Sequence, residues 1–148
     1  MARHAGFCYG VRRAVDTTKK FKSKNPDTKI SVLGELIHNS HVISELENLG
    51  INTLKELPQQ GDGICIIRSH GEPEDVFSKV RQSGFEIVDL TCFDVKKVQS
   101  KAIDLAKNNY LVIILGKPEH PEVMAICANA KKYAVNPDNI YVSKNLEP

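Results

Sequence analysis

Short apolar runs alternate with amphipathic helical stretches along the whole chain, and this alternation restricts the possible folds more than any other feature. Runs at 30–33, 51–54, 64–67, 85–90, 110–115 and 140–142 read as strands, each meeting a glycine or an asparagine at one end at least. Between them, residues 11–24 place Val11, Ala14, Val15, Thr18 and Phe21 on one stripe, and Val42, Ile43, Leu46 and Leu49 keep helical spacing until Gly50 stops them. Pro73 suits a first helical turn, with Val76, Phe77 and Val80 as the buried stripe up to Gly84. Val95, Val98, Ala102, Leu105 and Ala106 mark a fourth helix, and 122–131 a fifth. Strand and helix in alternation predict an α/β fold: mainly parallel sheets with helices on both faces, three layers in all. The unbroken run Ile64-Cys65-Ile66-Ile67 predicts a strand covered on both faces, which puts Cys65 in the core, and 110–115 reads the same way.

In sheets of this kind ligands sit outside the carboxyl ends of the strands. Cys8, His38, His70, Cys92 and His120 all fall in the turns just past those ends. Five residues of metal-binding or acid/base type on one edge, beside several helix N-termini, describe a reactive centre with an anionic ligand next to it. Cys8 lies between Gly6 and Gly10, before a helix whose positive end favours negative charge on the sulfur. A thiol so placed suits a nucleophile, a redox sulfur or a metal ligand, and equally a small buried turn residue. His4 reads as a turn residue and His41 as a helix-surface residue.

A chain of 148 residues with 41% hydrophobic content can bury a core, which excludes disorder and fibres. A formal net charge of +2 is too mild to indicate nucleic acid, and the basic face of 11–24 reads as solvated. No apolar run approaches a bilayer span and none behind Arg3 resembles a signal peptide, so no membrane role and a cytoplasmic location are expected. Cys8, Cys65, Cys92 and Cys127 are far apart, which favours thiols or metal ligands over disulfides; Cys127 sits in an apolar helical pattern and reads as core, like Cys65.

The chain also repeats itself. Cys8 to His38 spans 30 residues and Cys92 to His120 spans 28, each running cysteine, helix, strand, then glycine with histidine four residues later, Gly34 to His38 and Gly116 to His120. The pattern from Ile51 to Leu57 returns from Ile140 to Leu146. Two modules are expected, 1–91 and 92–148, the second incomplete before its counterpart of 64–67, and only Met1 to Arg3 stand where a strand would feed the first turn. An alternative reading is a non-catalytic α/β module binding phosphate at helix N-termini. Zinc held by Cys8, His38, His70 and Cys92 is a weaker option, since the gaps of 30, 32 and 22 residues lack the close ligand pairs of structural zinc sites.

Five short motifs carry a family resemblance: Gly6-Phe7-Cys8-Tyr9-Gly10-Val11-Arg12-Arg13-Ala14, Ile37-His38-Asn39, Ser69-His70-Gly71, Asp89-Leu90-Thr91-Cys92 and His120-Pro121-Glu122-Val123. Together, and in this order, they resemble the N-terminal half of 4-hydroxy-3-methylbut-2-enyl diphosphate reductase, the iron-sulfur enzyme that ends the non-mevalonate isoprenoid pathway. The resemblance implies three similar α/β modules around a 4Fe-4S cluster held by three cysteines, with one iron open to the substrate hydroxyl. It implies Cys8 and Cys92 as two cluster ligands. His38, His70 and His120 would line the diphosphate substrate pocket, and Glu122 would relay protons. An electron donor such as ferredoxin or flavodoxin is implied as partner. The chain departs from the family pattern at Phe93, where proline is usual, at Gln99, where histidine is usual, and at Ala125, where glycine is usual. The third cysteine motif has no counterpart before Pro148, so the chain alone is expected to be inactive and to hold no stable cluster.

Overall fold

A computed structural model describes residues 6–145; His4, Leu146 and the segment Met1 to Arg3 lie outside them. The chain divides into two compact units. The first runs through Ser69 and takes up Ser78–Cys92, and the second comprises His70–Phe77 and the chain from Phe93 onward.

The first unit is organised around helix α1 (Tyr9–Lys24), strand β1 (Ile30–Leu33), helix α2 (Ser40–Asn48), and strands β2 (Ile51–Leu54), β3 (Ile64–Ile67) and β4 (Glu86–Asp89). The four strands form one sheet in the order β2-β1-β3-β4, and every pairing is parallel. Register is set by apolar pairs: Ile30 stands opposite both Ile51 and Ile64, and Val32 opposite Ile66. Ile30, Val32, Ile64 and Ile66 share one core with Ala14 and Val15 of α1 and Val42 and Leu46 of α2. Cys65 and Ile67 point to the other face and are also fully buried, as the unbroken apolar run requires. Asn39 caps α2, its side chain accepting from the Val42 N–H at 3.1 Å, and Leu49 falls at the C-cap, where it is exposed instead of completing the buried stripe.

The second unit contains the start of helix α3 (Glu74–Gln82), helix α4 (Phe93–Lys107), strand β5 (Val112–Leu115), helix α5 (Pro121–Tyr133) and strand β6 (Ile140–Ser143). Its core joins Ala102 and Ala106 of α4, Ile126 and Ala130 of α5, Val112 and Ile140, the alanines letting the two helices approach closely. Parallel strands β5 and β6 reproduce the register of β1 and β2. The same backbone bond ends each pair, from the Gly34 N–H to the Leu54 carbonyl (2.8 Å) and from the Gly116 N–H to the Ser143 carbonyl (2.9 Å).

Three expectations from the sequence change here. The strand expected over 110–115 is confined to Val112–Leu115, and it is not covered on both faces: Ile113 and Leu115 are 59% and 54% exposed. One face of β5 meets the α4–α5 core, and nothing among the described residues of its unit covers the other. Val98, one of the apolar residues that mark α4, is exposed, in one groove with Ile113 and Leu115. In α3 only Val80 is buried; Val76 and Phe77 are half-buried.

Candidate metal centre and ligand residues

Cys8 is the N-cap of α1, with extended backbone (φ −60°, ψ 164°), and its exposed thiol makes no capping hydrogen bond. Gly10 follows in the first turn. A Cβ on Gly10 would lie 2.5 Å from the Sγ of Cys92, so the Cys92 sulfur rests on the bare backbone at this point. Cys8 and Cys92 are 84 residues apart in sequence, yet Cys8 caps α1 and Cys92, just ahead of α4, packs its sulfur against the first turn of the same α1. Two thiols beside the partial positive charge of a helix terminus form a soft, anion-favouring donor set, suited to iron in a sulfide cluster.

A ladder of bonds across the carboxyl ends of the strands fixes Cys92. The Ser69 hydroxyl, buried after β3, donates to the Leu36 carbonyl after β1 at 3.3 Å, and the Cys92 N–H donates to the Ser69 carbonyl at 2.9 Å. Thr91 is held through both its N–H and its hydroxyl, which donate to one carboxylate oxygen of Asp89 at 2.9 and 2.5 Å. Arg13 of α1 donates from Nη1 to the Thr91 carbonyl at 3.3 Å. Sequence reasoning missed Arg13, Asp89 and Ser69 as supports; the spacing of Asp89 and Thr91 was the available signal of an Asx turn.

His38 follows β1, with its Nδ1–H donating to Glu35 Oε2 at 3.1 Å. His120 is the N-cap of α5: its Nδ1 accepts from the Glu122 N–H at 3.3 Å, so the neutral ring carries its proton on Nε2. His70 packs edge-to-face on His120, ring centroids 5.5 Å apart at an interplanar angle of 85°. Glu122 lies half-buried in the first turn of α5, along a groove with Val98, Lys101, Val112, Leu115 and Val123. Cys65 is buried in β3, Cys127 packs half-buried on the second unit's core, and His41 is on the surface of α2.

A family model described as LytB protein matches residues 1–147. The 4-hydroxy-3-methylbut-2-enyl diphosphate reductase of Alkaliphilus oremlandii is 40% identical over 144 residues, covering 95% of this chain and 52% of that protein. The enzyme of the same description from Caldanaerobacter subterraneus subsp. tengcongensis is 40% identical over 143 residues, covering 92% of this chain and 49% of the relative. Among solved structures, an (E)-4-hydroxy-3-methyl-but-2-enyl diphosphate reductase, described as the terminal enzyme of the non-mevalonate pathway, superposes with a TM-score of 0.83 at 34% identity, over 98% of this chain and 50% of that one. The corresponding reductase from Plasmodium falciparum gives a TM-score of 0.83 at 27% identity, over 97% and 43%. The chain spans about half the length of the curated relatives it matches. Fold, parallel topology and motif order agree with the family match along nearly all of the chain, and the chain belongs to the LytB protein family.

Proposed function

We propose that this chain is the N-terminal half of a reductase that converts 4-hydroxy-3-methylbut-2-enyl diphosphate to isopentenyl and dimethylallyl diphosphate by reductive dehydroxylation. In this reading the modules are 1–91 and 92–148. Cys8 and Cys92 are two of the three cysteines that hold a 4Fe-4S cluster. The observation that carries this assignment is the Cys92 sulfur seated on Gly10, two residues from Cys8, with Cys65 and Cys127 packed in cores elsewhere. When bound, the cluster supplies electrons and an open iron for the substrate hydroxyl.

The protein's part is binding and proton delivery. His38, His70 and His120 offer ring N–H donors to the diphosphate and the hydroxyl side of the substrate: His120 is oriented by its cap so that Nε2–H is the donor, and His38, whose Nδ1–H is held by Glu35, donates from Nε2 when its ring is protonated. Loss of the hydroxyl as water takes two electrons and two protons: a C–O bond breaks, a C–H bond forms, and the oxygen leaves fully protonated. Glu122, a carboxyl group two residues past His120, is the proton source. The electrons come from a low-potential donor such as ferredoxin or flavodoxin, in the cytoplasm. No helix among the described residues is long and apolar enough to cross a membrane.

Glu122→Gln in the full-length enzyme tests the proton assignment. Turnover is expected to fall by at least about a hundredfold with substrate affinity retained; wild-type turnover would remove Glu122 from the mechanism. The 148-residue chain alone, with two of the three cysteines, is expected to show no turnover.

A further inference from the structure

Helix α5 holds the His70 segment at two places. At its N-terminus, the cap residue His120 meets the His70 ring. Two and a half turns on, Asn129 is 4% exposed on a face otherwise made of Ala125, Ile126 and Ala130, an unusual place for an amide. Its Oδ1 accepts from the Glu74 N–H at 2.8 Å, and so caps α3 from another helix, since Pro73 has no side-chain acceptor to offer. Lys132 and Tyr133, on the same face of α5, close the grip. The Tyr133 hydroxyl donates to Glu74 Oε2 at 2.6 Å, and Lys132 Nζ lies 3.1 Å from that oxygen and 2.9 Å from Asp75 Oδ1. The charges are matched accordingly: the bonds from Tyr133 and Lys132 hold the Glu74 carboxyl below the usual carboxylate range, and those from Asp75 and Glu74 raise the Lys132 ammonium.

We propose that Asn129 is a positioning residue: by capping α3 it fixes the segment from His70 to Glu74 on α5 and so sets the contact between His70 and His120. The exposed ion pairs add little to this, whereas loss of the buried Asn129 acceptor removes the partner of the part-buried Glu74 N–H at the start of α3. As a role in catalysis, the proposal rests on the reading of His70 and His120 as diphosphate ligands.

The test compares Asn129→Ala with Asn129→Asp, which keeps the acceptor oxygen, in this chain. Expected for Asn129→Ala are exchange of the Glu74 amide faster by about tenfold, loss of the proton–proton contact between the His70 and His120 rings by NMR, and weaker binding of inorganic diphosphate. Asn129→Asp restores the first two. Unchanged Glu74 exchange and an unchanged ring contact in Asn129→Ala would overturn the proposal. Loss of the ring contact with diphosphate affinity unchanged would support positioning by Asn129 and refute the diphosphate reading of the two histidines.

Discussion

The two sheets start from the same sequence pattern and end in different surroundings. In the first unit β1 has neighbours on both edges, and Ile30 and Val32 on one face and Ser31 on the other are all buried; in the second, β5 repeats the register of β1 against β6, yet Ile113 and Leu115 remain exposed. An apolar tetrapeptide therefore specifies a strand and its register, while burial is decided by what packs on it. The repeat also differs at its turning point. Gly34 has φ +70° and lies under the Arg68 guanidinium, whereas Gly116, its counterpart before His120, has no left-handed φ and meets only a methyl group of Val123.

The two sheets should differ most at their strand centres. Ile66→Ala, at a fully buried position, should cost about 3–4 kcal/mol, and Ile113→Ala, at an open one, less than about 0.5 kcal/mol, read by denaturant melts with amide exchange in each sheet. Equal costs would mean that β5 is as deeply packed as β3. The glycines should separate next. Gly34→Ala is expected to lose about 1–2 kcal/mol from the left-handed backbone alone, besides displacing Arg68, whereas Gly116→Ala carries no such backbone cost and loses stability only through the added Cβ, which would lie 2.7 Å from Val123 Cγ2. A smaller change follows from Ile113→Lys, which should leave stability within about 0.5 kcal/mol and lower self-association through the open face, as measured by sedimentation. Unchanged association would show that the face is not sticky. The smallest effect is in pH. Glu74 titrates below its ordinary value of 4.5 in the folded chain, so its contribution is full above that pH and disappears as pH falls through the lowered folded value. Partial exposure keeps it small, and Tyr133→Phe, which removes the largest cause, should flatten stability against pH in this acid range.

Much of this could be read from residues alone. Strands 30–33, 51–54 and 64–67 have the expected bounds because glycines and apolar onsets punctuate them locally. Cys65 is core because a four-residue apolar run leaves it no polar face. The family and its parallel fold were also legible, from five motifs in order. What escaped depended on distant partners: Arg13 on Thr91, the sulfur of Cys92 on Gly10, and Asn129 on Glu74 connect residues 78, 82 and 55 positions apart. Periodicity reports which side of an element is apolar, and it placed Leu115 inside because it carries no information on whether a layer covers that side.

Whether Cys8 and Cys92 form one metal-binding pair at the start of α1 is read by anaerobic titration with iron and sulfide, following thiolate-to-iron absorption in single-cysteine variants. Cys8→Ser and Cys92→Ser are each expected to abolish the absorption, Cys65→Ala and Cys127→Ala to keep it, and the bound iron to be lost on desalting. Undiminished absorption and iron content in the Cys8→Ser, Cys92→Ser double variant would contradict the pairing.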